Sequence, residues 1–199
     1  MKKGNPYGTH RVISPKGVLP QPADVVDNTM EIYDNESLID VKTLNIDSAS
    51  FTEICKQVLN KKPAEIETQE EKDAVMAELD KIIGICNKLQ CKMIVVVPSM
   101  DIEWCEPTID DIREDAVAVL KEMVKKCDPH GIKLSIEFIG QPTMTINRFE
   151  DALAIVEEVG SPNVGITLDQ YHFHGQASSF ESLEKADGKR IFIWHLNGV

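Results

Sequence analysis

No run of apolar residues in this chain approaches the ~18 needed to cross a bilayer as a helix, and the N-terminal MKKGNPYGTH has no apolar signal region. Neither a membrane span nor a secretory leader is expected, and a cytoplasmic location is predicted. Cysteine is sparse and without pattern: five residues, an odd number, with no C-x-x-C pair. This argues against a disulfide framework. Cys55, Cys86 and Cys127 sit beside apolar residues in helix-like contexts, so reduced, mostly buried thiols are expected. Positive charge is scarce as well. Of the net charge of −12, almost all falls after residue 66, since residues 1–66 hold eight Lys/Arg against nine Asp/Glu. With no basic stripe for a phosphate backbone, a nucleic-acid partner is not expected. The G-x-G-x-x-G of dinucleotide-binding folds is also absent, so nicotinamide binding has no support in the sequence.

What is present suffices for a core: 199 residues, 42% of them apolar. Up to about residue 60 the chain reads as irregular β structure. HRVISPKGVLPQPADVVDNT is punctuated by Pro and Gly, and Leu38, Val41, Leu44 and Ile46 mark a strand among polar residues. Phe51 to Leu59 reads as a short helix capped by Ser48 or Ser50. Residues 61–69, polar and broken by Pro63, read as a linker. From residue 70 the rhythm becomes regular. Val75, Leu79, Ile82, Ile83 and Cys86 repeat at helical spacing within Glu70 to Leu89, and the all-apolar MIVVVPS suits a strand of a parallel sheet. Ile109 to Cys127 is a second amphipathic helix, GIKLSIEF a strand, and Asn147 to Val159 a helix with Asn147 as cap and Glu150 at the capping-box position. VGITLD, a helix near Ser179 to Ala186, and RIFIWHL complete the alternation. The fold class predicted is α/β: a partial (β/α) TIM-type barrel with parallel strands, preceded by the β-containing N-terminal segment.

Three of these strands end in metal-binding side chains: Glu137 in KLSIEF, Asp169 in VGITLD and His195 in RIFIWHL. They recur at intervals of roughly 30 residues, the length of one βα unit, so parallel strands would aim them at one mouth. Two carboxylates and an imidazole form a mixed oxygen and nitrogen donor set for a divalent ion such as Mn, Mg, Co or Zn. Each follows apolar residues that would bury it, and a buried charge is costly unless paired or bound to metal. His172 and His174 alternate in YHFH; on a continuing strand they would face opposite sides, His172 toward the mouth. His10 and His130 read as surface residues, and Trp194 as part of the layer between barrel and helices.

These residues resemble a known family. IVVVPS, GIKLSIEFIGQPTMTINRFEDAL, VGITLDQYHFH and SSFESLEKADGKRIFIWHL are similar to the xylose isomerase-like TIM barrels, sugar phosphate isomerases and epimerases among them, and most of all to the inosose (2-keto-myo-inositol) isomerases. The resemblance covers about residues 70–197. It implies that Glu137, Asp169 and His195 are metal ligands, that His172, in the family's D-x-x-H motif, contacts substrate, and that Glu137 is catalytic. It further implies a small polyol or keto-sugar substrate, with a proton moved between adjacent carbons through an enediolate. In the family a second glutamate, also the fourth ligand, lies on the last barrel strand. HLNGV ends before it, so impaired isomerase activity is expected.

Residues 1–55, through PYGTHRVISPKGVLPQP and MEIYDNESLIDVKTLNIDSASF, resemble instead the N-terminus of a 3,5-diaminohexanoate dehydrogenase. Two other readings therefore stand beside the isomerase: a dehydrogenase-type module, and a non-catalytic scaffold or subunit completed by a partner chain. A homo-oligomer would cover the open sheet edges of a partial barrel.

Overall fold

The computed structural model describes residues 2–46, 48–60, 68–100 and 107–196. These form two compact units, Met1–Asp40 and Val41–Val199. In the first, β1 (Val12–Ser14) pairs antiparallel with β2 (Val25–Val26). Val12 is its only buried apolar residue among those described, while Val25, Val26, Leu38 and Ile39 are exposed. A polar network takes the place of a core. Glu36 accepts hydrogen bonds from Arg11 Nε at 2.8 Å, from Arg11 Nη2 and from the Tyr33 backbone N–H at 2.9 Å. His10, expected at the surface, joins it: its Nε2 lies 2.8 Å from Glu36 Oε1 and its ring lies tilted against that of Tyr33.

The second unit begins with β3 (Thr43–Ile46) and α1 (Ser48–Leu59), followed by α2 (Gln69–Leu89), β4 (Met93–Val96), α3 (Ile109–Cys127), β5 (Lys133–Glu137) and α4 (Phe149–Val159). Then come β6 (Val164–Asp169), α5 (Gln170–Gly175), α6 (Phe180–Lys185) and β7 (Ile191–His195). The strands stand in sequence order, β3-β4-β5-β6-β7, all parallel, as a curled half-barrel. The strand marked in the sequence between residues 38 and 46 is thus β3 and belongs to this sheet, adding a fifth strand to the four read after residue 70. The side chains of Ser48 and Ser50, most of the 61–69 segment and Cys105 fall outside the described residues.

Most of the described helices start where a side chain can satisfy their free N–H groups. Thr68 with Glu71 and Thr108 with Asp111 form capping boxes on α2 and α3. On α4 the expected box of Asn147 and Glu150 does not form. Arg148 is the N-cap and makes no side-chain cap. Asn147 donates to the Met144 carbonyl, and Ser178 Oγ accepts the Phe149 N–H at 3.0 Å from across the fold. Glu150 is drawn to the Ser179 N–H at 3.1 Å.

Alternation along the strands separates two chemistries. Leu134, Ile136, Ile166 and Leu168 point one way, into a core shared with Leu120, Met123, Phe149, Ile155 and Val156 of the helices. Ser135, Glu137, Thr167 and Asp169 point the other way. Ser135 and Thr167, both fully buried, share a hydrogen bond of 2.7 Å one layer beneath the carboxylates.

Candidate functional site

Glu137, Asp169 and His195 are the last residues of β5, β6 and β7. Asp169 pairs with His195 in the ladder, and Glu137 pairs with Thr167. Because the strands are parallel and consecutive, register alone delivers all three side chains to one rim. Glu137 and Asp169 are each only 8% exposed. His195, at the outer strand, is more open, and its Nδ1 lies 2.9 Å from Glu137 Oε1 and 3.4 Å from Asp169 Oδ2. Two buried carboxylates side by side need positive charge or hydrogen-bond donors nearby. Nδ1–H of His195 supplies one donor to Glu137.

The segment after Asp169 is not the strand that YHFH suggested but the short helix α5. Asp169 itself makes the turn, its Oδ1 accepting the Tyr171 N–H at 2.8 Å and the His172 N–H at 3.3 Å. An aspartate ending a buried strand and followed by a helix-compatible tetrapeptide is the local signal of such a cap. His172 and His174 still face apart, because two helical steps turn a side chain by about 200°. His174 is exposed and lies tilted against the Phe180 ring. His172 turns to the rim: one ligand atom each from Glu137, Asp169 and His172 lie within 4.8 Å of one another. Its Nδ1 is buried and has no hydrogen-bond partner among the described residues.

That lone nitrogen is the best test of whether a metal fits. A buried imidazole nitrogen without a partner is costly, and here it accompanies two carboxylates that want a cation. Two carboxylates with His172 and His195 beside them match the oxygen and nitrogen set of a divalent ion, and no thiol among the described residues joins them. Of the other candidates, His130 is exposed and bonds to Asn87 Nδ2. Trp194, expected between barrel and helices, is 64% exposed, because β7 ends the described sheet and no described helix covers it.

Comparison with known proteins divides the chain differently from its two compact units, with two family models that overlap at residues 58–82. Residues 58–199 match the family model of the xylose isomerase-like TIM barrel, and residues 10–82 that of the L-erythro-3,5-diaminohexanoate dehydrogenase N-terminal domain. The dehydrogenase likeness thus runs beyond residue 55, into α2. Inosose isomerase of Bacillus subtilis is 38% identical over 123 residues, covering 62% of this chain and 44% of that protein. L-erythro-3,5-diaminohexanoate dehydrogenase of Fusobacterium nucleatum is 51% identical over 90 residues, 45% of this chain and 23% of that one. The chain therefore spans less than half the length of these relatives. Among solved structures, an IolI protein with a bound zinc atom superposes with a TM-score of 0.62 at 28% identity, over 77% of this chain and 62% of that one. Among the described residues no helix is long and apolar enough to cross a membrane.

Proposed function

The chain belongs to the xylose isomerase-like TIM barrel family over residues 58–199, and from this membership we propose that it carries a divalent-metal site for proton transfer on a keto-polyol of the inosose class. The observation that carries the reading is the convergence of Glu137, Asp169 and His172, with His195 bonded to Glu137, at the ends of adjacent parallel strands. The inosose isomerases support the substrate class, and the zinc-bound IolI protein supports a divalent ion.

Glu137, Asp169 and His195 would hold the ion. The resemblance assigns His172 to substrate; its unpartnered Nδ1 supports adding it to the donor set. A divalent cation held there would polarise a carbonyl and acidify the neighbouring C–H. Glu137 is the proposed base: its carboxylate takes the α-proton to give an enediolate, and return of that proton to the adjacent carbon, with passage of the hydroxyl proton to the former carbonyl oxygen, completes the shift. Asp169 has one oxygen committed to the N-terminus of α5, which fixes the orientation of the other.

Metal analysis of the purified chain beside Glu137→Gln and His195→Ala tests the site. Wild type should retain a divalent ion that both variants lose, and equally negligible metal in all of them sinks the reading. With inosose in D₂O, deuterium wash-in at the α-carbon reports the base without requiring complete turnover. Glu137→Gln should slow it by roughly 10²- to 10⁴-fold.

The likeness of residues 10–82 to a dehydrogenase N-terminal domain supports a second role, that of a dehydrogenase-type module for an amino-acid substrate. Calorimetric titration of the chain with L-erythro-3,5-diaminohexanoate tests it, and absence of heat at millimolar ligand counts against it.

A further inference from the structure

We propose that Gly140 and Gly175 are positioning residues: without side chains they let the loop after β5 and helix α5 meet backbone to backbone, which aims the His172 ring at Glu137 and Asp169. A Cβ on Gly140 would lie 2.1 Å from the His172 carbonyl oxygen and 2.8 Å from its Cα. One on Gly175 would lie 2.3 Å from the Gly140 carbonyl oxygen. Both obstacles are backbone, which cannot swing aside as a flexible side chain could. Neither glycine has positive φ, so the backbone conformation does not require glycine there. Gly131 and Gly160 give the contrast: both have positive φ, and a Cβ there would meet nothing closer than 4.0 Å. The chain uses glycine in the one case for its φ and in the other for close approach.

Both sides of the contact are anchored. The loop is held by Ile139 N–H to the Ile146 carbonyl at 3.1 Å and by Thr145 N–H to the Ser99 carbonyl at 3.0 Å. Helix α5 is held from behind by buried Phe173, packed against Phe149 and Phe180, and by the Ser178 N–H on the Phe173 carbonyl at 3.0 Å. A methyl group at Gly140 must therefore displace the peptide of His172 itself. Nδ1 makes no hydrogen bond that would restore the aim of the ring. Gly140 also follows Glu137 by three residues, so the same contact ties the strand of one donor to the helix of another.

The inference rests on the proposed metal site, and its test separates the two. Co²⁺ titration followed by visible absorption would compare wild type with Gly140→Ala, Gly175→Ala, His172→Ala and Gly140→Ala/His172→Ala. Gly84→Ala, whose Cβ would meet nothing within 4 Å, is the control. Each glycine variant should lose affinity by roughly 10- to 100-fold, Gly84→Ala should not, and Gly140→Ala should add no loss once His172 is gone. A further loss in the double variant, or wild-type affinity in both single glycine variants, overturns the proposal. If wild type takes up no Co²⁺, the metal reading fails alone. The positioning claim is then read from the His172 ring resonances of the metal-free protein by NMR, which should shift in both glycine variants and not in Gly84→Ala; unchanged resonances overturn it. Loss of the folded circular-dichroism signal in both also overturns it, in favour of a general packing requirement.

Discussion

At the scale of single residues, Glu36 shows how a carboxylate can organise a segment that has almost no apolar core. The Arg11 guanidinium, aided by the Tyr33 N–H and His10, holds its carboxyl down to about 2 against burial that pushes the other way. A carboxyl whose folded value lies below its ordinary 4.5 stabilises the folded segment fully above that value, and the stabilisation is lost as pH falls through about 2. Protection factors of amides in residues 2–40, taken relative to the intrinsic exchange rate at each pH, should therefore fall between pH 4.5 and 2, and Glu36→Gln should show low protection already at neutral pH. The role of His10 was illegible in the sequence, because its partner Glu36 stands 26 residues away and neither side chain signals the other. The placement of Glu137, Asp169 and His195 at the ends of strands was legible. Each ends a run of apolar residues, and for Glu137 and Asp169 that run is a buried strand where a lone charge is costly.

At the scale of elements, periodicity located α2, α3, α4 and the strands well, whereas caps and turns went astray. The α4 N-terminus illustrates why. Asn147 is the right residue type one position before the N-cap, yet Ser178, 29 residues beyond Phe149, accepts the Phe149 N–H instead. Ser178→Ala should destabilise the protein by about 1–2 kcal/mol, read from urea unfolding, with Asn147→Ala costing less. The YHFH segment failed for a related reason. Alternation over so few residues fits strand and helix equally, and the Asp169 side chain, by accepting two N–H groups, decided for helix.

At the scale of the whole molecule, the core lies between the parallel sheet and its helices, and the described cysteines mark it. Cys55, Cys86, Cys91 and Cys127 are free and buried, as the sequence contexts of Cys55, Cys86 and Cys127 led one to expect. Burial pushes the Cys86 and Cys127 thiols up to about 11, from an ordinary value of 9.0. Iodoacetamide at pH 8 should consequently label them only at the rate of unfolding. Since a raised thiol value favours the protonated folded state, stability is full below pH 9 and falls as pH rises toward 11. Thermal melts across that range should show a decline that Cys127→Ala reduces.

The sequence by itself determined the α/β alternation, the parallel strands and the strand ends that carry Glu137, Asp169 and His195, because these depend on short-range periodicity and on where a buried run stops. Only the tertiary structure decided which groups meet. The approach of His195 to Glu137 spans 58 positions, and the seat of His172 depends on two glycines whose backbones touch. Contacts of this kind leave no periodic trace, since they are fixed by how separate elements pack and not by what neighbours share along the chain.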